Sequence, residues 1–450
     1  MFGEIIHYIL DLGSAIFLPI VMIILGLIVR LKPKKAIIAG ITLGVAFTGM
    51  SIVLDFMFGT ISPVAEQFVQ NTGIQLNAID VGWAPTAAIA WAWPYALLMF
   101  PLQIGINLIM LVLKKTDVLN VDLWNVWGKI FTATMVASVT NSIALGFVAA
   151  AIQVVLELVI GSLTQKDVQK LSGIPGITCS HNMVIETVIM SPINKLMDYI
   201  PGLNSRNFDA DKIKEKLGVF AENSVMGCII GFLLAICSGY SLGESLQTGI
   251  KVGTALVLFP MVAKLFMQAL APIADAASTF MKSKFKDREI FIGLDWPFLA
   301  GRSEIWIVCI LLVPVQLGLA VLMAKLGIAN TLPLAGIINI VMIVPALITT
   351  GGNIVRMFIL GVLYSPIYLF VSSAFAAATT ELAVSVNALQ VSAGQMITCY
   401  NFELPLFRYF FSNAFTGNIV AIIGLIVIAG LFVYYVVDKK KQLKAEAEVA

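Results

Sequence analysis

Apolar runs of about 20 residues, separated by short polar stretches, most restrict what this chain can become. A helix needs about 20 apolar residues to cross roughly 30 Å of hydrocarbon. Runs of this kind occupy 13–30, 36–58, 97–113, 128–160, 222–239, 247–272, 305–325, 331–350, 354–376 and 418–437. The stretch 176–194 is a weaker candidate, because it carries His181, Asn182 and Glu186. Of the 450 residues 59% are hydrophobic and 12% charged, whereas a soluble domain carries about 25% charged residues. A soluble enzyme and a disordered chain are both excluded on these grounds. The expected fold class is an all-α polytopic membrane protein with about 11 transmembrane helices.

Other classes find little support. The net charge of +2 gives no reason to expect nucleic acid. The five cysteines form no CxxC pair, and the two histidines are too few for a histidine-built metal centre. There is no Walker A motif, no GxGxxG following a strand and no HExxH. Cofactors are therefore not expected, no metal site is expected, and any covalent chemistry must come from another chain. The N-terminus lacks the basic segment and cleavage site of a signal peptide, so Ala15–Arg30 reads as part of the mature protein.

Loop charge gives an orientation. With the lysine-rich tail (Lys439, Lys440, Lys441, Lys444) in the cytoplasm and 176–194 counted as a crossing, the N-terminus lies outside. The inner segments 30–36, 114–127, 195–221, 273–291 and the tail then hold 19 Lys/Arg. The outer segments 59–82, 161–175, 240–246, 326–330 and 377–417 hold 3. Cytoplasmic loops carry this excess of positive charge.

Short patterns recur at a fixed offset. Gly40-Ile-Thr-Leu-Gly44 returns as Gly249-Ile-Lys-Val-Gly253, 209 residues on; Pro101-Leu-Gln103-Ile-Gly105 returns as Pro314-Val-Gln316-Leu-Gly318, 213 residues on, as do Trp93 and Trp306. Two repeats, 1–200 and 201–417, are expected, followed by a final helix and basic tail over 418–450. Five crossings per repeat invert the second relative to the first, an arrangement common among alternating-access transporters. Before each Pro-x-Gln-x-Gly lies a broken apolar segment. One is Asp80–Trp93; the other is Gly293–Glu304, with Asp295-Trp296-Pro297 near its start. They are expected to be re-entrant hairpins near 80–95 and 292–304, one from each side. Irregular backbone survives at membrane depth only where it is buried in protein or lines a wet cavity. The other reading is a pair of surface helices with ordinary caps and Trp anchors.

Polar side chains inside spans are the site candidates. Asp295 leads, either as a helix cap or as a solute ligand. Glu304 and Arg302 stand in the same segment, where Arg302 reads either as neutralising one of the carboxylates or as a solute contact. His181, Asn182 and Glu186 form a polar cluster, which reads either as satisfied core or as solute contacts. Asp80 and Trp83 open the first hairpin. Asn353 follows the Gly351-Gly352 pair, where a plain inter-helix turn is equally open. Trp124 and Trp127 read as interfacial anchors, and Asp122 with Lys114 and Lys115 as a local charge cluster.

Several segments then converge on one family. Tyr8-Ile-Leu-Asp11-Leu-Gly13, Asp80-Val-Gly-Trp83, Asn120-Val-Asp122-Leu-Trp124-Asn125-Val-Trp127, Phe291-Ile-Gly-Leu-Asp295 and Gly352-Asn353 resemble the galactitol-type enzyme IIC permease of the bacterial phosphotransferase system. The likeness runs over nearly the whole chain. It implies a homodimer in the inner membrane, within the ascorbate–galactitol superfamily. It also implies an elevator-like motion, with a moving core carrying the hairpins and the sugar. The substrate would be a polyol or sugar, taken up outside and phosphorylated inside by a separate IIB charged through IIA, so the chain would not be an enzyme on its own. The expected polyol contacts are Asp295, His181, Glu304, Asn353, Asp80, Trp83, Glu186 and Asn182, since a neutral hexitol offers only hydroxyls to carboxylates, amides and imidazole. The alternative is an H⁺- or Na⁺-coupled secondary transporter for a small polar solute.

Overall fold

The computed structural model describes residues 14–28, 30–72, 78–91, 93–120, 126–201, 203, 223–284, 290–333, 336–385 and 396–449. Tyr8–Gly13, Asp122, Trp124 and Asn125 lie outside these described residues. The helices in the first part are α1 (Ser14–Ile28), α2 (Pro33–Thr72), α3 (Trp83–Trp91), α4 (Met99–Val112), α5 (Val126–Thr140), α6 (Ile143–Ser172) and α7 (Thr187–Leu196). They are followed by α8 (Asn223–Cys237), α9 (Leu242–Lys284), α10 (Ser303–Lys325), α11 (Ile340–Thr350), α12 (Ile354–Ala374), α13 (Ala376–Ser385), α14 (Pro405–Ala414) and α15 (Ile419–Val449). Among the described residues, four helices are long and apolar enough to cross a membrane by length and composition. They are α6, α10, α12 and most of α15. The fold is mostly helical, as a polytopic membrane protein requires.

Among the described residues, six short strands break the helical pattern and lead into irregular turns. They are β1 (Ala78–Asp80), β2 (Val118–Asn120), β3 (Ile177–Cys179), β4 (Phe291–Leu294), β5 (Thr331–Leu332) and β6 (Met396–Thr398). They form two parallel three-stranded sheets, ordered β5-β1-β6 and β2-β4-β3. In each sheet the central strand comes from one end of the chain and both flanking strands from the other. Ala78, Trp83 and Val118 each precede Phe291, Trp296 and Thr331 by 213 residues. Non-helical backbone in an apolar interior must find partners, and the exchanged strands supply them.

Asp80 fastens the first sheet to its surroundings. Its carboxylate is buried and accepts from the backbone N–H groups of Gly82 (3.0 Å), Tyr400 (2.8 Å) and Gly336 (2.5 Å). Asp295 plays a more local part in the second sheet: it follows β4 and accepts from Trp296 N at 2.7 Å, starting the 3₁₀ turn Trp296–Leu299.

The structure revises the crossings in three places. The run 128–160, expected as one span, is two antiparallel helices. Asn141 takes a left-handed φ of 53° and ends α5; Ser142 then caps α6, accepting from Leu145 N at 3.3 Å. The resulting α6 has 30 residues, which is about 45 Å of helix.

The segment 176–194, expected as a crossing, is β3, a 3₁₀ turn over Asn182–Glu186, and α7. Both of its ends lie beside the C-terminal end of α15. Asp167, near the end of α6, pairs with Lys439 at 2.7 Å, and Lys166 with Glu446 at 3.6 Å. Lys195, at the end of α7, donates to Tyr434 Oη at 3.2 Å and pairs with Asp438. The chain therefore enters and leaves at one end of α15. Segment 161–175, expected on the side opposite the tail, sits beside it.

The stretch 377–417, expected as an outer loop, holds the end of α13, β6, a buried turn and α14. It leads directly into the start of α15, where the Phe410 ring packs on Gly424. Sequence hydropathy misses it because polar residues such as Asn401, Glu403 and Arg408, buried inside the protein, interrupt any long apolar run.

Asp80→Ala leaves three backbone N–H groups without their acceptor. Each unsatisfied buried donor costs about 1–3 kcal/mol, so the unfolding midpoint of the purified protein should fall clearly, and less for Asp80→Asn, which keeps one acceptor oxygen. An unchanged midpoint for Asp80→Ala would show that the carboxylate does not hold the sheet.

Candidate solute-binding site

Two turns that follow β3 and β6 meet at the centre of the protein. In the first, Ser180 N donates to Leu294 O (3.0 Å), continuing the β3–β4 pairing, and the chain then turns at His181. His181 Nδ1 accepts from Met183 N at 3.3 Å and caps the 3₁₀ turn. This fixes the ring so that Nε2 faces Glu403 Oε1 at 3.5 Å and Asp295 Oδ1 at 4.0 Å. Asn182 Nδ2 donates to Glu403 Oε2 at 2.5 Å. Glu186, one turn later, accepts from Tyr368 Oη at 3.4 Å.

The second turn is held under strain. Glu403 and Leu404 are both left-handed, with φ of 36° and 52°. Non-glycine residues rarely adopt this conformation, and it persists only where the surroundings enforce it. Pro405 starts α14 immediately after. Arg408, fully buried, donates to Phe402 O, to Gly128 O (2.8 Å) and to Thr132 Oγ1 (2.8 Å), and lies 3.8 Å from Glu403 Oε2. Its guanidinium sits 5.0 Å from the centroid of the Phe131 ring and 5.4 Å from that of Phe402. The polar chain continues from Thr132 to Gln153 (2.5 Å) and from Gln153 to Glu157 (2.9 Å), which pairs with buried Lys129 at 2.8 Å. Two cations thus face two carboxylates, an arrangement that a low-dielectric interior tolerates because the charges are paired and hydrogen-bonded.

Gly128 makes the meeting of the turns possible. A Cβ there would lie 2.5 Å from Asn182 Nδ2 and 3.1 Å from Glu403 Oε2. Helix α5 can pass this close to the pair only without a side chain.

Several polar atoms here keep their bonding capacity. Ser180 Oγ, Asn182 Oδ1 and Asn401 Oδ1 are buried and make no hydrogen bond. Buried polar atoms in folded proteins nearly always have partners, so these three oxygens, two on the first turn and one on the second, are candidates for ligand contacts. Among the described residues, no group of three or more His, Cys, Asp and Glu is arranged to hold a metal ion.

The expected site residues divide into groups. His181, Asn182 and Asp295 come together, Glu186 stands beside them on the same turn, and Asp80 reaches the facing turn through Tyr400 N. Glu304 and Asn353 belong to a second cluster. Glu304 pairs with Arg302, and both pack against Gly352 in the turn between α11 and α12. Asn353 caps α12, accepting from Arg356 N at 3.1 Å. Trp83 starts α3 and packs against the apolar cluster around Trp127 and Phe131.

Glu403, Arg408, Lys129 and Glu157 were not anticipated. One sequence signal was available for the turn that carries Glu403, though not for Lys129 or Glu157: Ile177-Thr178-Cys179, with Asn182 three residues on, recurs as Ile397-Thr398-Cys399, with Asn401 two residues on. The recurrence makes the second turn the counterpart of the first.

Comparison with known proteins identifies the family. The family model for the sugar-specific permease component of the phosphotransferase system (EIIC-GAT) matches residues 8–394. The galactitol-specific EIIC components of Escherichia coli K12 and O157:H7 are each 31% identical over 442 residues, covering 96% of either chain. A putative permease IIC component of E. coli K12 is 31% identical over 379 residues, 84% of this chain and 86% of its own. A match over nearly the whole length, on a chain of apolar helices, places it plainly: it belongs to the galactitol-type EIIC family of phosphotransferase-system permease components.

Proposed function

We propose that this chain is the membrane-embedded subunit that binds a galactitol-like polyol on the outer side and presents it on the inner side to a phosphorylated IIB partner. The observation that carries the reading is the set of buried, unpaired oxygens of Ser180, Asn182 and Asn401 beside His181, Asp295 and Glu403. A hexitol is a string of hydroxyl groups, each able to donate and accept. Carboxylates and amide oxygens take the donated protons, while amide and imidazole N–H groups return them. Discrimination follows from the groups that an ill-fitting solute would leave unpaired. The galactitol named for the relatives at 31% identity supports a hexitol as the first substrate to test.

The transport cycle follows from the packing. Helices α1, α2, α8 and α9 pack chiefly on one another, and Gly249 and Gly253 of α9 lie against the backbone of α8. The two turns, both sheets and Asp295 belong to the remaining body. In this reading that body moves against the four-helix scaffold, as an elevator carrying the polyol. The repeats 1–200 and 201–417 are then inverted halves, a view supported by the exchanged strands. The turn after β3 enters from the cytoplasmic side with the tail, and the turn after β6 from outside, with the N-terminus outside. The scaffold is the natural dimer contact. The phosphoryl group comes from IIA through IIB, and this chain only holds and delivers the acceptor hydroxyl.

In vesicles, accumulation of labelled galactitol should require phosphoenolpyruvate and the cognate IIB, and the internal product should be phosphorylated. Uptake of unmodified polyol that collapses with a protonophore would instead establish an ion-coupled carrier. For the site, Glu403→Gln and Gly128→Ala should each weaken polyol binding to the purified protein. The expected loss is at least about tenfold, equivalent to about 1.4 kcal/mol, with folding retained. Wild-type affinity in both variants would remove the two turns from the site.

A further inference from the structure

Behind the solute site, on the side away from the scaffold, lies a second cavity of about 350 Å³. It is walled by α6 (Leu156), the 3₁₀ turn (Ile185, Glu186), α14 (Phe407) and α15 (Ile428, Phe432). Every lining residue except Glu186 is apolar. The carboxyl of Glu186 is engaged by Tyr368. Very little polar surface is therefore presented to an occupant, and water would find few partners there.

Position identifies what can fill it. The cavity lies between α6 and α15, both long and apolar enough to cross a membrane. It is bordered by the middle of α6 (Ile152, Leu156) and by 425–433 of α15, far from the charged ends marked by Asp167 and Lys439. On either side of it, Ile422, Ile423, Ile426 and Val427 of α15 are exposed apolar residues. The mouth therefore opens at the depth of hydrocarbon, where lipid tails are the surrounding solvent.

We propose that this cavity is a binding site for one acyl chain of a bilayer phospholipid. The chain seats between α15 and the helices that follow the two solute-binding turns, α7 and α14. It touches the reverse side of Glu186 and Leu404, whose neighbours His181 and Glu403 face the polyol. It keeps the back of the solute site dry and supports the strained turn at Glu403–Leu404 from behind.

The test uses the full chain in vesicles of phosphatidylethanolamine and phosphatidylglycerol containing a trace of phospholipid with a photoreactive diazirine in mid-chain. After irradiation, labelled residues are mapped by peptide mass spectrometry. Label should concentrate on the cavity-facing residues of 404–411 and 425–433. Ala429→Trp, and separately Val433→Phe, should abolish that label while leaving label on outward Ile422 and Ile426 unchanged. Label no denser in the cavity than on those outward residues, or label surviving both substitutions, would overturn the proposal. So would a disulfide between two copies of Ala429→Cys, which would make a second chain the occupant.

Discussion

Backbone amides without a helix have nowhere to bond in a lipid-surrounded protein except to other protein groups, and this structure depends on how that demand is met. Irregular backbone lies where the two turns bring His181, Asn182, Asp295 and Glu403 together. Two three-stranded sheets supply the missing partners, each completing one end of the chain with strands from the other. Asp80 adds a carboxylate that gathers three further N–H groups. The sheets then hold the turns after β3 and β6 against each other, and the hydrogen bond from Asn182 to Glu403 closes the contact.

The second condition is charge. Glu403 and Arg408 are buried within the same turn and helix start, and a lone charge there would be costly. The path through Thr132, Gln153 and Glu157 to Lys129 disperses it across α5 and α6. The path also explains why a strained left-handed pair is kept in place. Arg408 grips Phe402 O and Gly128 O together, so the turn cannot relax without breaking the bonds to α5. Rigidity of this sort is what the proposed polyol site would need, since discrimination by unmet hydrogen bonds requires fixed partners.

Much of this was legible in the sequence, and the failures have physical causes. The apolar runs gave most helices, and the cost of polar residues at membrane depth singled out His181, Asn182 and Asp295, which do meet. The break at Asn141–Ser142 was missed because both flanking helices are apolar and hydropathy is continuous across it, although Asn followed by Ser is a stop and a cap. Counting 128–160 as one pass and 176–194 as another made two errors of opposite sense, and the structure puts 161–175 beside the tail rather than opposite it. Glu403 and Arg408 went unseen because they lie in a stretch without a long apolar run. Hydropathy has no term for backbone satisfied by a sheet drawn from the other end of the chain. Glu304 and Asn353, chosen by the same rule as His181, have local partners in Arg302 and Arg356 N and lie in a cluster of their own.

The central claim is that two turns entering from opposite ends meet tip to tip. Impermeant thiol labelling of single cysteines in sealed vesicles of known orientation tests it most directly, with the unsubstituted protein as the blank. Ser172→Cys, at the end of α6, should label from the same side as Ala447→Cys in the tail, and Thr416→Cys, at the end of α14, only from the other side. Labelling of positions 172 and 416 from one common side would contradict the account.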